Sequence, residues 1–103
     1  MIAEIEEHLE EIRGLCREYE VTRLEVFGSA VTGQFDPRRS DVDFLVEYAP
    51  GVDLGPWMGR YFELRDRLAG LLGREVDLVM VAAIRNPYMR RMVDEQRRTL
   101  YAA

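Results

Sequence analysis

The spacing of hydrophobic residues predicts a helix at the start of the chain, followed by two strands. Residues 22–27 (TRLEVF) alternate as in a short strand, which Gly28-Ser29 ends. Residues 34–40 have the composition of a turn and lead into a second strand, Asp41 to Tyr48. Between residues 2 and 20, apolar side chains recur every three or four positions, as in an amphipathic helix, at Ile2, Ile5, Leu9, Ile12, Leu15 and Tyr19.

The second half of the chain predicts a helix, a strand, a helix and a final short strand. The third strand is Glu75 to Val81, rich in Val, Leu and Met. Asn86-Pro87 reads as an N-cap followed by proline in the first turn of a helix to about Gln96, and residues 98–101 form a last strand. Before them, a helix from about Leu54 to Leu72 is expected to bury Leu54, Trp57, Met58, Tyr61, Phe62, Leu68 and Leu72.

This order of elements predicts an α+β fold, a mixed sheet of three to four strands with flanking helices. A length of 103 residues leaves room for one core, so residues 1–103 are expected to form a single domain. The single cysteine, Cys16, has helical spacing that favours a packed residue over a reactive thiol.

Charge and hydropathy narrow the classes of function. A net charge of −5 argues against broad electrostatic binding to duplex nucleic acid, so any phosphate must be held locally. No apolar run approaches the roughly 20 residues that span a bilayer, and the acidic N-terminus does not resemble a signal peptide. We therefore expect no membrane partner and a cytoplasmic location.

Two aspartates are expected on one face of the second predicted strand. Successive side chains of a strand alternate between faces, so Asp41 and Asp43 point one way and the apolar residues between and after them point into the core. Like charges this close are unfavourable unless a cation lies between them, and Mg²⁺ prefers carboxylate oxygens. The pattern therefore predicts a magnesium site.

The third predicted strand carries another aspartate among apolar neighbours. Asp77 projects from the face opposite Val76 and Leu78, and it completes a carboxylate triad if the two strands are neighbours. Three converging aspartates would hold two Mg²⁺ ions that bridge the phosphates of a nucleotide. Asp77 would serve the metal nearer the nucleophile or take the proton of the nucleophile.

Gly28-Ser29 supplies the predicted phosphate-binding turn. Glycine lets a phosphate approach the backbone closely, a helix N-terminus offers free N–H donors, and the Ser29 hydroxyl adds one more donor. Neither Gly-Ser nor Asp-x-Asp is specific alone, since an Asp-x-Asp also occurs on solvated edge strands. Their combination at this spacing is much more specific. Arg38 and Arg39 are not included in the predicted site, because arginines in turns usually face solvent.

The combined motif resembles the DNA polymerase beta-like nucleotidyltransferase superfamily, and its size resembles the minimal nucleotidyltransferase (MNT) group. The likeness rests on Gly28-Ser29, residues 40–44 (SDVDF), residues 75–79 (EVDLV) and Asn86-Pro87. Eleven residues separate Ser29 from Asp41, about one more than the usual pattern, and the extra residue falls in a turn. The resemblance implies a nucleotidyltransferase fold with catalytic carboxylates at Asp41, Asp43 and Asp77.

Stand-alone domains of this group are similar to the antitoxin partners of HEPN-domain toxins, which are helical ribonucleases. The resemblance implies that the chain binds such a toxin and transfers AMP from ATP to a tyrosine hydroxyl of that toxin. The last predicted helix offers a docking face, a hypothesis that predicts loss of co-purification when Arg90 and Arg91 are reversed in charge.

Three other interpretations remain open from the sequence. The first is a nucleotidyltransferase for a small-molecule acceptor such as an aminoglycoside, although such enzymes usually carry an additional domain. The second is an antitoxin with a weak or vestigial site that neutralises its partner by binding alone. The third is a structural domain with merely solvated aspartates. A nucleic-acid polymerase is disfavoured by the acidic charge and the absence of a template-binding region.

Overall fold

A computed structural model describes all residues from Met1 to Ala103. Its helices and strands follow the predicted order and include the fourth strand. In chain order the elements are α1 (Ala3–Glu7), α2 (Leu9–Glu18), β1 (Val21–Phe27), α3 (Ser29–Thr32), β2 (Val42–Tyr48), α4 (Gly59–Leu72), β3 (Val76–Met80), α5 (Pro87–Gln96) and β4 (Arg98–Ala102), with short 3₁₀ turns at Pro56–Met58 and Val81–Ala83.

The sheet is mixed and has the order β3-β2-β1-β4. β1 lies antiparallel to both β2 and β4, whereas β2 and β3 run parallel. Parallel strands need a crossover connection, which α4 provides here. The α+β prediction with a mixed sheet is therefore confirmed. No helix combines the length and apolar character that crossing a bilayer requires.

One face of the sheet carries the main hydrophobic core. Val42, Phe44 and Val46 of β2 all point into it, as the alternation in the sequence predicted. The first helical segment covers this face, and it is broken at His8 rather than continuous from residue 2 to 20. The break leaves the predicted stripe in place, and Cys16 is buried beside it.

The opposite face of the sheet is covered in part by α5. Val93 of this helix is fully buried against Phe27 and Leu45, and Ile84 packs beside them. Asn86 caps the helix as predicted, because its side-chain oxygen accepts hydrogen bonds from the backbone N–H groups of the first turn. At the end of this face where β1 ends and β2 and β3 begin, Asp43 is half-buried and Asp77 is exposed.

The predicted burial of Trp57 is wrong, because this side chain is 94% exposed. Met58 and Phe62 are also exposed, and Leu54 is only partly buried. The physical reason is the entry to α4: Trp57 and Met58 have φ values of 56°, so the α-helix begins only at Gly59. The face that α4 buries then consists of residues four apart, at Leu64, Leu68 and Leu72, with Tyr61 partly buried beside them.

Candidate functional site

The predicted site residues meet where three strand ends come together. β1 ends at Phe27, which lies opposite Asp43 of β2, and Asp43 in turn lies opposite Asp77 of β3. Residues at matching positions on neighbouring strands project from the same face. Asp43 and Asp77 therefore stand side by side on the face of the sheet that α5 covers in part. Asp41 lies just before β2 and is exposed.

Asp43 has an unfavourable electrostatic environment. Its own burial and the carboxylates of Asp77 and Asp41 raise the pKa of Asp43 to about 6, from an ordinary value of 3.8. Asp77 and Asp41 are exposed, whereas Asp43 is half-buried, so desolvation acts mainly on the central member of the group. The three carboxylates thus interact electrostatically, as the sequence pattern predicted.

Gly28 lies in direct contact with the central aspartate. Its φ of 75° is in the left-handed region that favours glycine, and a Cβ at this position would overlap Oδ2 of Asp43. Helix α3 begins at the next residue, Ser29, so the strand turns sharply at this point. The close approach explains why glycine is needed here, and it joins the predicted phosphate-binding turn to the predicted metal ligands.

Asp41 follows directly after a loop, residues 34–40, that is held by its own hydrogen bonds. The carbonyl of Asp36 accepts a hydrogen bond from Ser40 N–H at 2.8 Å, and Ser40 Oγ accepts one from Asp36 N–H at 2.9 Å. The guanidinium of Arg74 lies over the ring of Phe35 and donates to the carbonyl of Pro37 at 2.8 Å. No local signal in the sequence points to Arg74, because both of its partners lie in a loop distant in sequence.

Two further features of the site, a polar cleft and a hydrogen bond to Gly28, were not predicted from the sequence. Arg38 and Arg39 line a polar cleft of about 420 Å³ together with Asp41, although the sequence analysis did not include them in the site. On the other side, the side-chain oxygen of Gln96 accepts a hydrogen bond from Gly28 N–H at 3.1 Å. No local signal in the sequence connects residues this far apart.

The chemistry of the donor set fits Mg²⁺, although the side chains do not form a closed cage. No group of three or more carboxylate, imidazole or thiolate side chains is drawn together as a preformed cluster. All three candidate ligands are carboxylates, which Mg²⁺ prefers, and a cation beside Asp43 would favour the charged form that burial and the two neighbouring carboxylates disfavour. The three-aspartate metal site stays a prediction.

Comparison with known proteins places this geometry in a family. Residues 5–100 match the family model described as the nucleotidyltransferase domain. A relative in Methanocaldococcus jannaschii, named as a protein adenylyltransferase, is 37% identical over 95 residues, which cover 91% of this chain and 92% of the relative.

Two solved structures share the fold over most of the chain. One, described as a minimal nucleotidyltransferase, has a TM-score of 0.73 and 30% identity, covering 91% of this chain and 90% of that one. The other is a toxin–antitoxin crystal structure with AMP-PNP, which has a TM-score of 0.70 and 27% identity, covering 92% of this chain and 73% of that one. The chain therefore belongs to the nucleotidyltransferase domain family, in its minimal form, and is an enzyme of that class.

Proposed function

We propose that this chain is an antitoxin that transfers AMP from ATP to a tyrosine hydroxyl of a HEPN-domain toxin. The observation that carries the proposal is the side-by-side placement of Asp43 and Asp77, with Gly28 against Asp43. The relative named as a protein adenylyltransferase supports a protein acceptor. The toxin–antitoxin structure with AMP-PNP supports ATP as the donor and a toxin as the partner.

In this proposal Gly28 and Ser29 hold the phosphates of ATP. The left-handed Gly28 brings the backbone close to the nucleotide, and the Ser29 hydroxyl donates a hydrogen bond to a phosphate oxygen. Asp41, Asp43 and Asp77 would hold Mg²⁺, which when bound neutralises the charge that develops on the phosphates. Without the ion the three carboxylates would repel the phosphates, so their role would be to hold the ion beside the α-phosphate.

Asp77 is placed to accept the proton of the acceptor. It is exposed and lies on β3, an edge strand, so a hydroxyl from another protein can reach it. The hydroxyl oxygen forms a bond to the α-phosphorus, the bond from that phosphorus to the pyrophosphate breaks, and pyrophosphate leaves. The hydroxyl proton passes to Asp77. The product is an AMP-modified tyrosine.

The acceptor is brought by the partner protein, and α5 offers a face for docking. Its outer side exposes Tyr88 (80%), Met92 (42%) and Met89 (37%), beside the exposed Arg90 and Arg91. Exposed aromatic, methionine and arginine side chains are enriched in protein interfaces. Because α5 covers the same face of the sheet that carries Asp43 and Asp77, a partner docked there lies close to the transfer site.

The test is incubation of this chain with labelled ATP, Mg²⁺ and the protein encoded by the neighbouring gene, followed by intact mass measurement of both. We expect an added mass of one or more AMP units on the neighbour, which the Asp41→Asn/Asp43→Asn variant abolishes. The matched control, Asp53→Asn/Asp66→Asn, changes two exposed aspartates that are not among the proposed ligands and should leave transfer unchanged. Tight co-purification without any added mass would contradict the proposal and favour neutralisation by contact.

A further inference from the structure

The last residue of α5, Gln96, touches the predicted phosphate-binding turn. Its Oε1 accepts the backbone N–H of Gly28 at 3.1 Å. The Gly28 carbonyl accepts from Val31 and Thr32, so both peptide groups that flank Gly28 are held by hydrogen bonds. The orientation of this turn is thus fixed on one side by α3 and on the other by the side chain of Gln96.

The end of α5 that carries Gln96 is itself anchored. Arg97 Nε lies 3.5 Å from Oε2 of Glu25, which is only 4% exposed and is the one charged residue in the buried set. Arg97 also pairs with Asp94 at 3.3 Å, and Val93 is fully buried. A buried carboxylate that loses its partner is strongly destabilising, so this ion pair fixes the position of the helix end.

The Gly28 turn has little freedom to shift without disturbing the catalytic carboxylates. Gly28 lies so close to Asp43 that even a Cβ does not fit between them. A displacement of the turn would therefore change the distance between the bound phosphates and Asp43. Misplacement of reacting groups by about 1 Å can reduce a rate on the order of a hundredfold.

We infer that Gln96 is a positioning residue of the nucleotidyl-transfer site, which acts through the N–H of Gly28 to hold the phosphate-binding turn against Asp43. This inference rests on the proposed function, because it assumes that nucleotide phosphates bind at Gly28-Ser29. It assigns a role to α5 in nucleotide binding, in addition to docking of a partner.

The test compares Gln96→Met, which keeps the side-chain length but removes the acceptor, with Glu95→Met on the exposed neighbouring position. Binding of AMP-PNP with Mg²⁺ is measured by calorimetry, and exchange of the Gly28 amide proton is measured by NMR without nucleotide. We expect Gln96→Met to weaken AMP-PNP binding about three- to tenfold and to speed Gly28 exchange, whereas Glu95→Met changes neither. Gln96→Glu, which retains an oxygen acceptor, should restore slow exchange.

The two readouts separate the possible failures. Slow Gly28 exchange in Gln96→Met would show that the hydrogen bond is not formed in solution and would overturn the inference. Faster exchange with unchanged AMP-PNP affinity would show that the bond is structural only, and would also overturn it. If the wild-type chain binds AMP-PNP but transfers no AMP, the proposed acceptor chemistry fails while the role of Gln96 in nucleotide binding is still measured. If the wild-type chain binds no AMP-PNP at all, both proposals are overturned.

Discussion

The two faces of the sheet are built from the same strands but differ in how much hydrophobic core they bury. One face belongs to a hydrophobic core of 17 buried residues beneath α1, α2 and α4, whereas the hydrophobic cluster on the other face has three buried residues, one of which is Val93 of α5. Successive side chains of β2 alternate between these faces: Phe44 points into the large core, while Asp43 and Leu45 point to the opposite face. The residues of one strand that stabilise the fold and those proposed for chemistry thus lie on opposite faces, so single substitutions should affect stability and activity separately.

The largest expected loss of stability follows from a substitution on the face of the sheet that carries the large core. Phe44→Ala removes a fully buried aromatic ring and should lower the free energy of unfolding by about 3–5 kcal/mol, measured by urea denaturation. Trp57→Ala, the control, removes a larger ring that is 94% exposed and should change it by less than about 0.5 kcal/mol. Comparable losses in the two variants would contradict the burial that the structure assigns to them.

The second prediction uses two glycines with the same positive φ angle. Gly28 and Gly51 both have φ of 75°, but a Cβ at Gly51 meets nothing within 4 Å, whereas at Gly28 it overlaps Asp43. Gly51→Ala should lose about 1–2 kcal/mol of stability from backbone strain alone. Gly28→Ala should lose about 2–4 kcal/mol, because overpacking adds to the strain. AMP transfer, measured by intact mass, should be abolished only in Gly28→Ala, and equal transfer by both variants would contradict a contact between Gly28 and Asp43.

The smallest expected effect is a gain in stability when Asp43, on the face opposite the large core, is replaced by Asn. The pKa of Asp43 is about 6 in the folded chain against an ordinary 3.8, so the charged form is disfavoured by folding. The loss of stability caused by charged Asp43 is absent below about pH 4, grows as the pH rises from 4 to 6 and is complete above pH 6. In protein treated with EDTA, Asp43→Asn should therefore be more stable by about 1–2 kcal/mol at pH 8, after allowance for solvent screening, and equally stable at pH 3.5.

Thermal or urea unfolding at the two pH values checks this prediction. Asp66→Asn, at an exposed position on α4, provides the control and should show no such dependence on pH. A gain for Asp43→Asn at pH 3.5 that disappears at pH 8 would have the wrong sign and would contradict the view that burial and the neighbouring carboxylates disfavour the charged form of Asp43.

Much of the fold and the site could be predicted because local patterns determine them. The alternation around Asp43, the cap at Asn86 and the turn at Gly28 are all local signals, and the structure has each where the sequence placed it. Asp43 also pairs directly with Asp77, as expected if the two predicted strands are neighbours.

The exposure of Trp57 and the contacts at the end of α5 could not be predicted, because they depend on information that local patterns do not contain. Trp57 fits a helical stripe, but two residues with positive φ delay the start of α4 and turn the ring outward. The contacts of Gln96 with Gly28 and of Arg97 with Glu25 join distant parts of the chain. They follow from how α5 packs on the sheet, which composition and periodicity cannot specify.

The parallel pairing of β2 with β3 also has a consequence for folding kinetics. β1 and β2 are joined by residues 28–41, whereas β3 reaches β2 only after residues 49–75, including all of α4, have crossed over the sheet. Contacts between distant segments form slowly, because the entropy of closing the loop opposes them. Asp77 therefore meets Asp43 only in chains whose crossover has closed. A chain whose crossover has not closed lacks this pairing, so under the proposed function we expect such a chain not to bind nucleotide.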